Sequence, residues 1–352
     1  HRREYRHPCN VTNKPVCAAI VGLGWWGRRI FDSIHGLSKK ITIIRVIDRR
    51  AETLEEIAAE KNLGVSSNLE DALEDKNVQA MILATPHSLH EKQIILCAAA
   101  GKHVFVEKPL ALSAEGAERA IRACEAAEVT LGVGHMRRFE PAIQEIKRLI
   151  EASKLGTIMH VEANFSHDIL AGVAPDNWRN SSNESPIPVL SSMGIHLTDI
   201  FIHLFGPIKE VFAQSTSRLG ARVSGDVISV QLIFESGLTA YLNAIMSTPL
   251  FVRFHVFGSQ AWVETRSDTH PGQDGITKLK VSASGGPVRT EEFRNIDTVR
   301  ANLEAFVDEI TGQGRYPFLR EEKIENIAVM EAIIDSATRN APVLVQHTGD
   351  WS

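Results

Sequence analysis

The sequence predicts an α/β fold in its first part, a doubly wound parallel sheet. A second, α+β part follows, built on a large and mostly antiparallel open sheet. Three observations predict it. Between residues 16 and 135, short apolar runs alternate with helical patterns. The first two of those runs flank a glycine-rich turn, and the second ends on an acid. From residue 157 onward the strand patterns are longer, alternate in polarity and follow one another across short turns.

The first part takes its order from Val16–Asp48. The apolar run Val16–Val21 leads into Gly22-Leu23-Gly24-Trp25-Trp26-Gly27, and a helix is expected over Trp25–His35, ended by Gly36. A second strand, Ile41–Ile47, stops at Asp48. Further strands are expected at Ala80–Ala84, His103–Val106 and Val129–Val133. Helices are expected at Ala51–Asn62, Leu69–Glu74, Leu89–Ala100 and Ala114–Ala127. Short buried strands alternating with helices imply a parallel sheet covered on both faces, with ligands at the carboxyl ends of its strands.

After Arg138 the pattern changes. A helix over Pro141–Ala152 precedes strands at Thr157–Ser166, Ile208–Ser217, Val227–Phe234, Leu238–Ser247, Phe251–Phe257, Ala261–Thr265 and Thr277–Ser284. Glu235-Ser236-Gly237 and Gly258-Ser259 read as turns, so consecutive strands should be antiparallel. Helices over Thr298–Thr311 and Arg320–Thr338 close the chain. The expected division is a flexible arm at 1–14, a first domain at 15–136, a second at 137–345 and a tail at 346–352. Too few helices follow residue 157 to cover both faces of the second sheet. A homodimer or homotetramer joined through it is therefore expected.

Composition narrows the function. The 352 residues carry 38 Lys and Arg against 43 Asp and Glu, a net charge of −5. That balance gives no electrostatic reason to expect nucleic acid or a membrane as partner. No apolar run reaches transmembrane length. Cys9, Cys17, Cys97 and Cys124 have no metal or redox spacing and read as reduced thiols of a cytoplasmic protein. The partner expected is a small-molecule substrate.

The glycine turn carries a specific chemistry. Gly22 permits the tight turn, Gly24 lets a pyrophosphate approach the backbone, and Gly27 lets the helix pack close to the strand. The helix N-terminus offers free N–H groups to the phosphates. Asp48, 21 residues after Gly27, suits the adenosine ribose hydroxyls. This is the Rossmann arrangement for a nicotinamide dinucleotide. Asp48 opposes a 2′-phosphate and favours NAD, whereas Arg49 and Arg50 keep NADP open.

Two other places invite chemistry. Lys108, between an apolar strand and Pro109, puts an ammonium at the rim of the parallel sheet, on the cofactor side. Ser192, His196, Asp199 and His203 fall at helical spacing and form a polar stripe on an otherwise apolar helix over Ser191–Phe205. Such a stripe needs either buried partners or a ligand. A metal is disfavoured because no further ligand cluster accompanies it.

These residues resemble the glucose–fructose oxidoreductase/inositol dehydrogenase/MocA family of NAD(P)-dependent dehydrogenases. The resemblance rests on the turn at 22–27, on Thr85-Pro86 with His90, and on Ala100-Gly101-Lys102-His103-Val104 running into Glu107-Lys108-Pro109. Arg138-Phe139 with Pro141, Leu155-Gly156, Trp178-Arg179 and Gly194-x-His196-x-x-Asp199 follow in family order. It implies a catalytic Lys108 and a His196 that handles the substrate hydroxyl proton by titrating near neutral pH. It implies a cofactor held by Gly22, Gly24, Trp25, Trp26, Gly27, Asp48, Arg49, Thr85, Pro86, His90, Glu107 and Lys108. His87, Arg137, His167, Asp176, Trp178 and Ser192 are expected beside Lys108 and His196 around the substrate. The family usually has an acid where this chain has Ser192, and Asp176 is the candidate to replace it. The expected activity is hydride transfer between a nicotinamide and a hydroxyl of a sugar, an inositol-like polyol or a related hydroxy compound. An NAD-dependent glycosidase using transient oxidation, and a non-catalytic cofactor-binding regulator, are the alternatives.

Overall fold

The structure is a computed structural model that describes residues 14–174, 176–219 and 225–347. The expected N-terminal arm, residue 14 apart, and the tail beyond residue 347 lie outside the described residues.

The first sheet takes β1 Val16–Val21, β2 Ile41–Ile47, β3 Gly64–Ser66, β4 Ala80–Leu83, β5 His103–Val106 and β6 Leu131–Val133. Its order is β3-β2-β1-β4-β5-β6, and every pairing in it is parallel. The strand order therefore reverses between β1 and β4, the position where such sheets open a ligand crevice. The helices between the strands are α1 Trp25–Ile34, α2 Glu55–Lys61, α3 Glu70–Leu73, α4 His90–Ala99 and α5 Ala114–Ala126. The sequence pattern had not indicated β3. It is three half-buried residues on the sheet edge, too short for periodicity to mark. The helix expected over Ala51–Asn62 begins as a 3₁₀ turn, Ala51–Leu54, and ends where Asn62 turns left-handed at φ 54°.

The second sheet follows α6 Pro141–Glu151. Its strands are β7 Ile158–Ser166, β8 Ile208–Thr216, β9 Val227–Phe234, β10 Thr239–Ile245, β11 Phe251–Gly258, β12 Ala261–Ser267, β13 Ile276–Ala283, β14 Arg289–Arg294 and β15 Val343–Leu344. They stand in the order β14-β13-β12-β11-β7-β10-β9-β8-β15. Among the described residues every pairing in this sheet is antiparallel except β7 with β10, which is parallel. The chain leaves β7, passes through α7 Ile195–Phe205 and only then builds β8 to β10, so β10 returns in the direction of β7. The β14 strand was not expected because it is polar and mostly exposed. α7 and α9, Arg320–Arg339, cover one face. The other face carries His160, Tyr241, His255, Phe257 and Trp262, whose rings touch one another.

One element crosses between the parts. Helix α8, Thr298–Thr311, comes late in the chain but packs on the first sheet. Phe306 meets Phe105 with ring centroids 5.7 Å apart, and Asn302 Nδ2 donates to the Val133 carbonyl at 2.9 Å. Asp297 caps α8 by accepting from the Arg300 N–H and also pairs with Arg29; Asp308 pairs with Lys40. Each fully buried Phe contributes roughly 1.5–3 kcal/mol. The two sheets are thus held in a fixed relation, with the carboxyl ends of β1, β4 and β5 facing the second domain. Among the described residues no helix is long and apolar enough to cross a membrane.

Candidate active site

The carboxyl ends of the parallel strands form one wall of a cleft that is open to solvent. Trp25 and Trp26 come from the glycine turn, Ala84, Thr85 and His87 from the end of β4, and Glu107 and Lys108 from the end of β5. The second domain supplies the facing wall, including Phe165, His167, Trp178, Arg179, Ser192, His196 and His270.

The glycine turn fits the cofactor its sequence announces. Gly22 sits at φ +87°, and a Cβ there would lie 2.7 Å from the Ala84 carbonyl oxygen. A Cβ on Gly27 would lie 1.9 Å from the Gly22 oxygen, so only glycine lets α1 approach the turn. Gly24 faces open space, and α1 begins there without a side-chain cap or an acid in its first turn. Its leading N–H groups are therefore available to a pyrophosphate. Asp48 accepts the Leu23 N–H at 2.7 Å and the Arg50 N–H at 2.9 Å, which orients its carboxylate beside the turn. Arg49 is exposed next to it.

Lys108 stands at the join of the domains. Its Nζ donates to the carbonyl oxygens of Ser191 at 2.8 Å and Ser192 at 3.1 Å. Those two residues belong to a widened π-turn, Leu190–Gly194, which replaces the first turn of the helix expected over Ser191–Phe205. Such turns often mark functional sites. Burial lowers the Lys108 pKa to about 8, opposed by Glu107 and reinforced by Arg179. Burial likewise pushes the Glu107 carboxyl above its usual range.

His196 differs from its expectation. It was to titrate near neutral pH, but burial, followed by the charge of Lys108 and the neighbouring His135, holds its pKa well below 6.5. Its Nδ1 is enclosed without a hydrogen-bond partner. Burial also brings His87 down to about 3 and His167 and His270 to about 4. At neutral pH the cleft is thus lined by uncharged imidazoles that can exchange hydrogen bonds with hydroxyl groups.

The polar stripe on α7 divides. Ser192 and His196 face the cleft. Asp199 instead takes two hydrogen bonds from Arg138, at 2.7 and 2.8 Å, and His203 lies 3.0 Å from the same guanidinium.

Several expected site residues lie away from the cleft. Arg137 is 2% exposed, ion-paired with Glu140 and stacked on Phe165 at 4.8 Å, behind the ring that lines the cavity. His90 is wholly buried, with its ring nitrogens 2.7 Å from the Pro109 carbonyl and 3.0 Å from that of Thr85. It ties the ends of β4 and β5 together. Pro86 starts the 3₁₀ turn His87–Leu89 and is not in the lining. Asp176 is exposed and not in the lining, so it does not stand in for the acid missing at Ser192. Lining residues that sequence reasoning did not assign to the site include Arg179, His270, Phe165, Met136 and Ser191. His270 lies in a loop with no periodicity, whereas Arg179 had a signal in its motif beside Trp178. Among the described residues no three His, Cys, Asp or Glu side chains converge to hold a metal ion.

Comparison with known proteins agrees with this geometry. Residues 16–135 match a family described as "Oxidoreductase family, NAD-binding Rossmann fold", and residues 143–264 match "GFO/IDH/MocA C-terminal domain". The 4-carboxy-2-hydroxymuconate-6-semialdehyde dehydrogenase of Sphingobium is 30% identical over 286 residues, which is 78% of this chain and 88% of the relative. A D-xylose 1-dehydrogenase (NADP(+)) of Haloferax volcanii is 29% identical over 78% of this chain and 82% of its own length. The aldose-aldose oxidoreductase of Caulobacter crescentus, crystallised with glycerol, shares the fold at 23% identity and a TM-score of 0.84, covering 94% of this chain and 99% of its own. With both halves matched and the NAD-binding turn intact, the chain belongs to the GFO/IDH/MocA family of NAD(P)-dependent dehydrogenases.

Proposed function

We propose that the protein oxidises a hydroxyl of a sugar, polyol or related hydroxy compound, with Lys108 taking the hydroxyl proton and His196 orienting the oxygen. The observation that carries this reading is Lys108 itself. It is a partly buried amine at the end of β5, held by two carbonyls of the second domain across the cleft from the glycine turn. The nicotinamide would accept the hydride, and the protein supplies position and electrostatics. A pKa near 8 lets Lys108 be neutral in part of the population near neutral pH, so it can accept a proton and keep it. His196, uncharged, serves as a hydrogen-bond partner for the substrate rather than as a resident acid. His87, His167 and His270 add further uncharged partners for hydroxyl groups, and Trp178 an aromatic wall. The relatives' activities, as named, support oxidation over the glycosidase and regulator alternatives. They include a xylose dehydrogenase and a dehydrogenase of a carboxylated semialdehyde.

The test is a panel of sugars, polyols and cyclic hydroxy acids assayed for nicotinamide absorbance with NAD and with NADP. Release of a free sugar from a glycoside without net absorbance change would overturn the reading. The reading includes a cytoplasmic homodimer or homotetramer through the second sheet, supported by the uncovered aromatic face bearing Tyr241, Phe257 and Trp262. Light scattering at micromolar concentration should exceed the 38.8 kDa of one chain.

A further inference from the structure

We propose that His270 is a specificity-determining residue, whose Nε2 accepts a hydrogen bond from a substrate hydroxyl other than the one oxidised. This rests on the dehydrogenase reading above and narrows its substrate to compounds with at least two free hydroxyl groups. His270 lies in the loop between β12 and β13 and lines the cleft. Its Nδ1 is 2.9 Å from the Pro271 carbonyl oxygen. A carbonyl oxygen only accepts, so Nδ1 carries the ring proton. Nε2 of the uncharged ring then has a lone pair and no hydrogen. Among the described residues Nε2 has no partner, and it is not sealed inside the protein as Nδ1 of His167 and of His196 are. Burial, with the neighbouring His167 second, lowers the His270 pKa to about 4 against the pull of the Pro271 carbonyl. The lone pair is therefore present across the neutral range.

The loop holds the ring in place. Arg29 Nη2, from α1, donates to the Gly272 carbonyl at 3.2 Å, and the Gln273 N–H donates to the His270 carbonyl at 3.0 Å. Asn295 Nδ2 donates to Thr269 Oγ1 at 2.9 Å, and Ser267 Oγ to the Thr269 carbonyl at 3.0 Å. The ring itself packs against His167 at 5.2 Å and Phe165 at 5.5 Å between centroids. An acceptor fixed in this way needs little further ordering when a ligand arrives. A hydroxyl supplies the hydrogen it lacks, whereas a ketone, ether or carboxylate oxygen would set lone pair against lone pair. The hydroxyl that reacts gives its proton to Lys108. The charge of Lys108 acts on His87, His167 and His196, whereas His270 feels His167, Arg137 and Arg29. His270 thus stands away from the reacting oxygen and reads a second hydroxyl. The other donor in the loaded cleft is the nicotinamide carboxamide, and NAD affinity separates the two.

The test takes whichever of D-glucose, D-galactose, D-xylose and myo-inositol has the highest kcat/KM, with its single-position deoxy and deoxyfluoro analogues. Wild type, His270→Phe and His270→Gln are compared for NAD reduction and for NAD affinity. In the wild type, removing one hydroxyl away from the reacting carbon should lower kcat/KM about ten- to a hundredfold. The deoxyfluoro analogue, which keeps an acceptor but has no donor, should fare no better than the deoxy one. His270→Phe should lower kcat/KM for the parent compound by a similar factor and abolish the discrimination at that one position alone. His270→Gln, whose amide oxygen accepts, should recover part of both, and it carries the test if His270→Phe does not fold. NAD affinity should stay within twofold. Discrimination left intact at every position would return His270 to packing and overturn the proposal. So would recovery by fluorine, which would make the ring a donor, or a parallel loss of NAD affinity, which would assign it to the carboxamide. Cyclohexanol oxidised as well as myo-inositol would overturn it while leaving the dehydrogenase reading intact, whereas oxidation of none of these compounds would count against both.

Discussion

His196 and Asp199 lie three residues apart on α7, yet they end in opposite environments. Asp199 is buried against Arg138, whose guanidinium also reaches Glu322 at 2.6 Å and the Pro317 carbonyl at 3.0 Å, and lies 3.9 Å from the Phe318 ring centre. Here the protein provides the polar partners. Among the described residues, His196 faces the cleft with Nδ1 unmatched, as is Nδ1 of His167. Buried polar groups are normally satisfied. The saturated cluster therefore reads as architecture that fixes α7 and α9, and the unsaturated one as a surface awaiting hydroxyl groups. The contrast can be broken by experiment from either side.

The largest effect should come from the unsaturated side. Lys108→Ala should cut turnover on a true substrate by about 10³–10⁴-fold, while NAD affinity changes by no more than a few-fold. Steady-state rates and cofactor titration check both halves. Wild-type turnover in this variant would return the whole cleft to a structural role.

On the saturated side, Arg138→Met should cost about 3–5 kcal/mol, because it leaves Asp199 and Glu322 buried without their cation. Urea unfolding measures it. The pH dependence has a definite sign. Burial acts to raise the Glu322 pKa, but His203 and Arg138 outweigh it and hold the carboxyl at about 2. A depressed acid contributes stability that is present above its unfolded value, near 4.5, and lost as pH falls toward 2. The variant should lose that part of the acid-unfolding transition. Unchanged stability would remove the distinction drawn between the clusters.

How far the sequence reached follows from where partners come from. The positions of the turn at Gly22–Gly27, of Asp48 and of Lys108 were legible because their signals are local: a strand, a turn and a helix in register, or a lysine stopped by a proline. The α7 stripe was legible as polar but not as two clusters. Arg138 and Glu322, which take Asp199 away from the site, arrive from 61 and 123 residues away in the chain. The neutral-pH role given to His196 failed for the same reason, since its pKa is set by burial and by charges on other elements. Arg137 looked like a ligand until Glu140, three residues on, was seen to hold it behind Phe165. Edge strands such as β14 gave no signal because neither face is buried.

A smaller effect sharpens the roles inside the cleft. If Lys108 accepts the proton, the oxidation rate should rise with pH through about 8 and then level off, because the neutral amine is the active form. The reverse reaction should fall over the same range. His196→Gln should lower the plateau without moving that midpoint, since His196 is already neutral there. A midpoint that disappears with His196 instead would hand it the proton.

The smallest effect tests the far end of the cofactor site. Asp48 ends β2 with both carboxylate oxygens receiving backbone N–H groups, from Leu23 and Arg50, and with Arg50 Nε 3.7 Å away. A 2′-phosphate would bring a dianion against that carboxylate, so NAD should bind more tightly than NADP. Asp48→Ser removes the charge and leaves Arg49 exposed beside the vacated position, free to pair with the phosphate. It also deprives the Leu23 N–H of its acceptor, which should loosen the turn and weaken NAD several-fold. The loss of charge moves the ratio, whereas the looser turn weakens both cofactors, which share the pyrophosphate. We expect NADP preference to rise about tenfold, a change near 1.4 kcal/mol, with the catalytic pH midpoint unmoved because Asp48 is remote from Lys108. Paired titrations with the two cofactors decide it. Tighter NADP binding in the unmodified chain would mean that Arg49 and Arg50, rather than Asp48, set the choice.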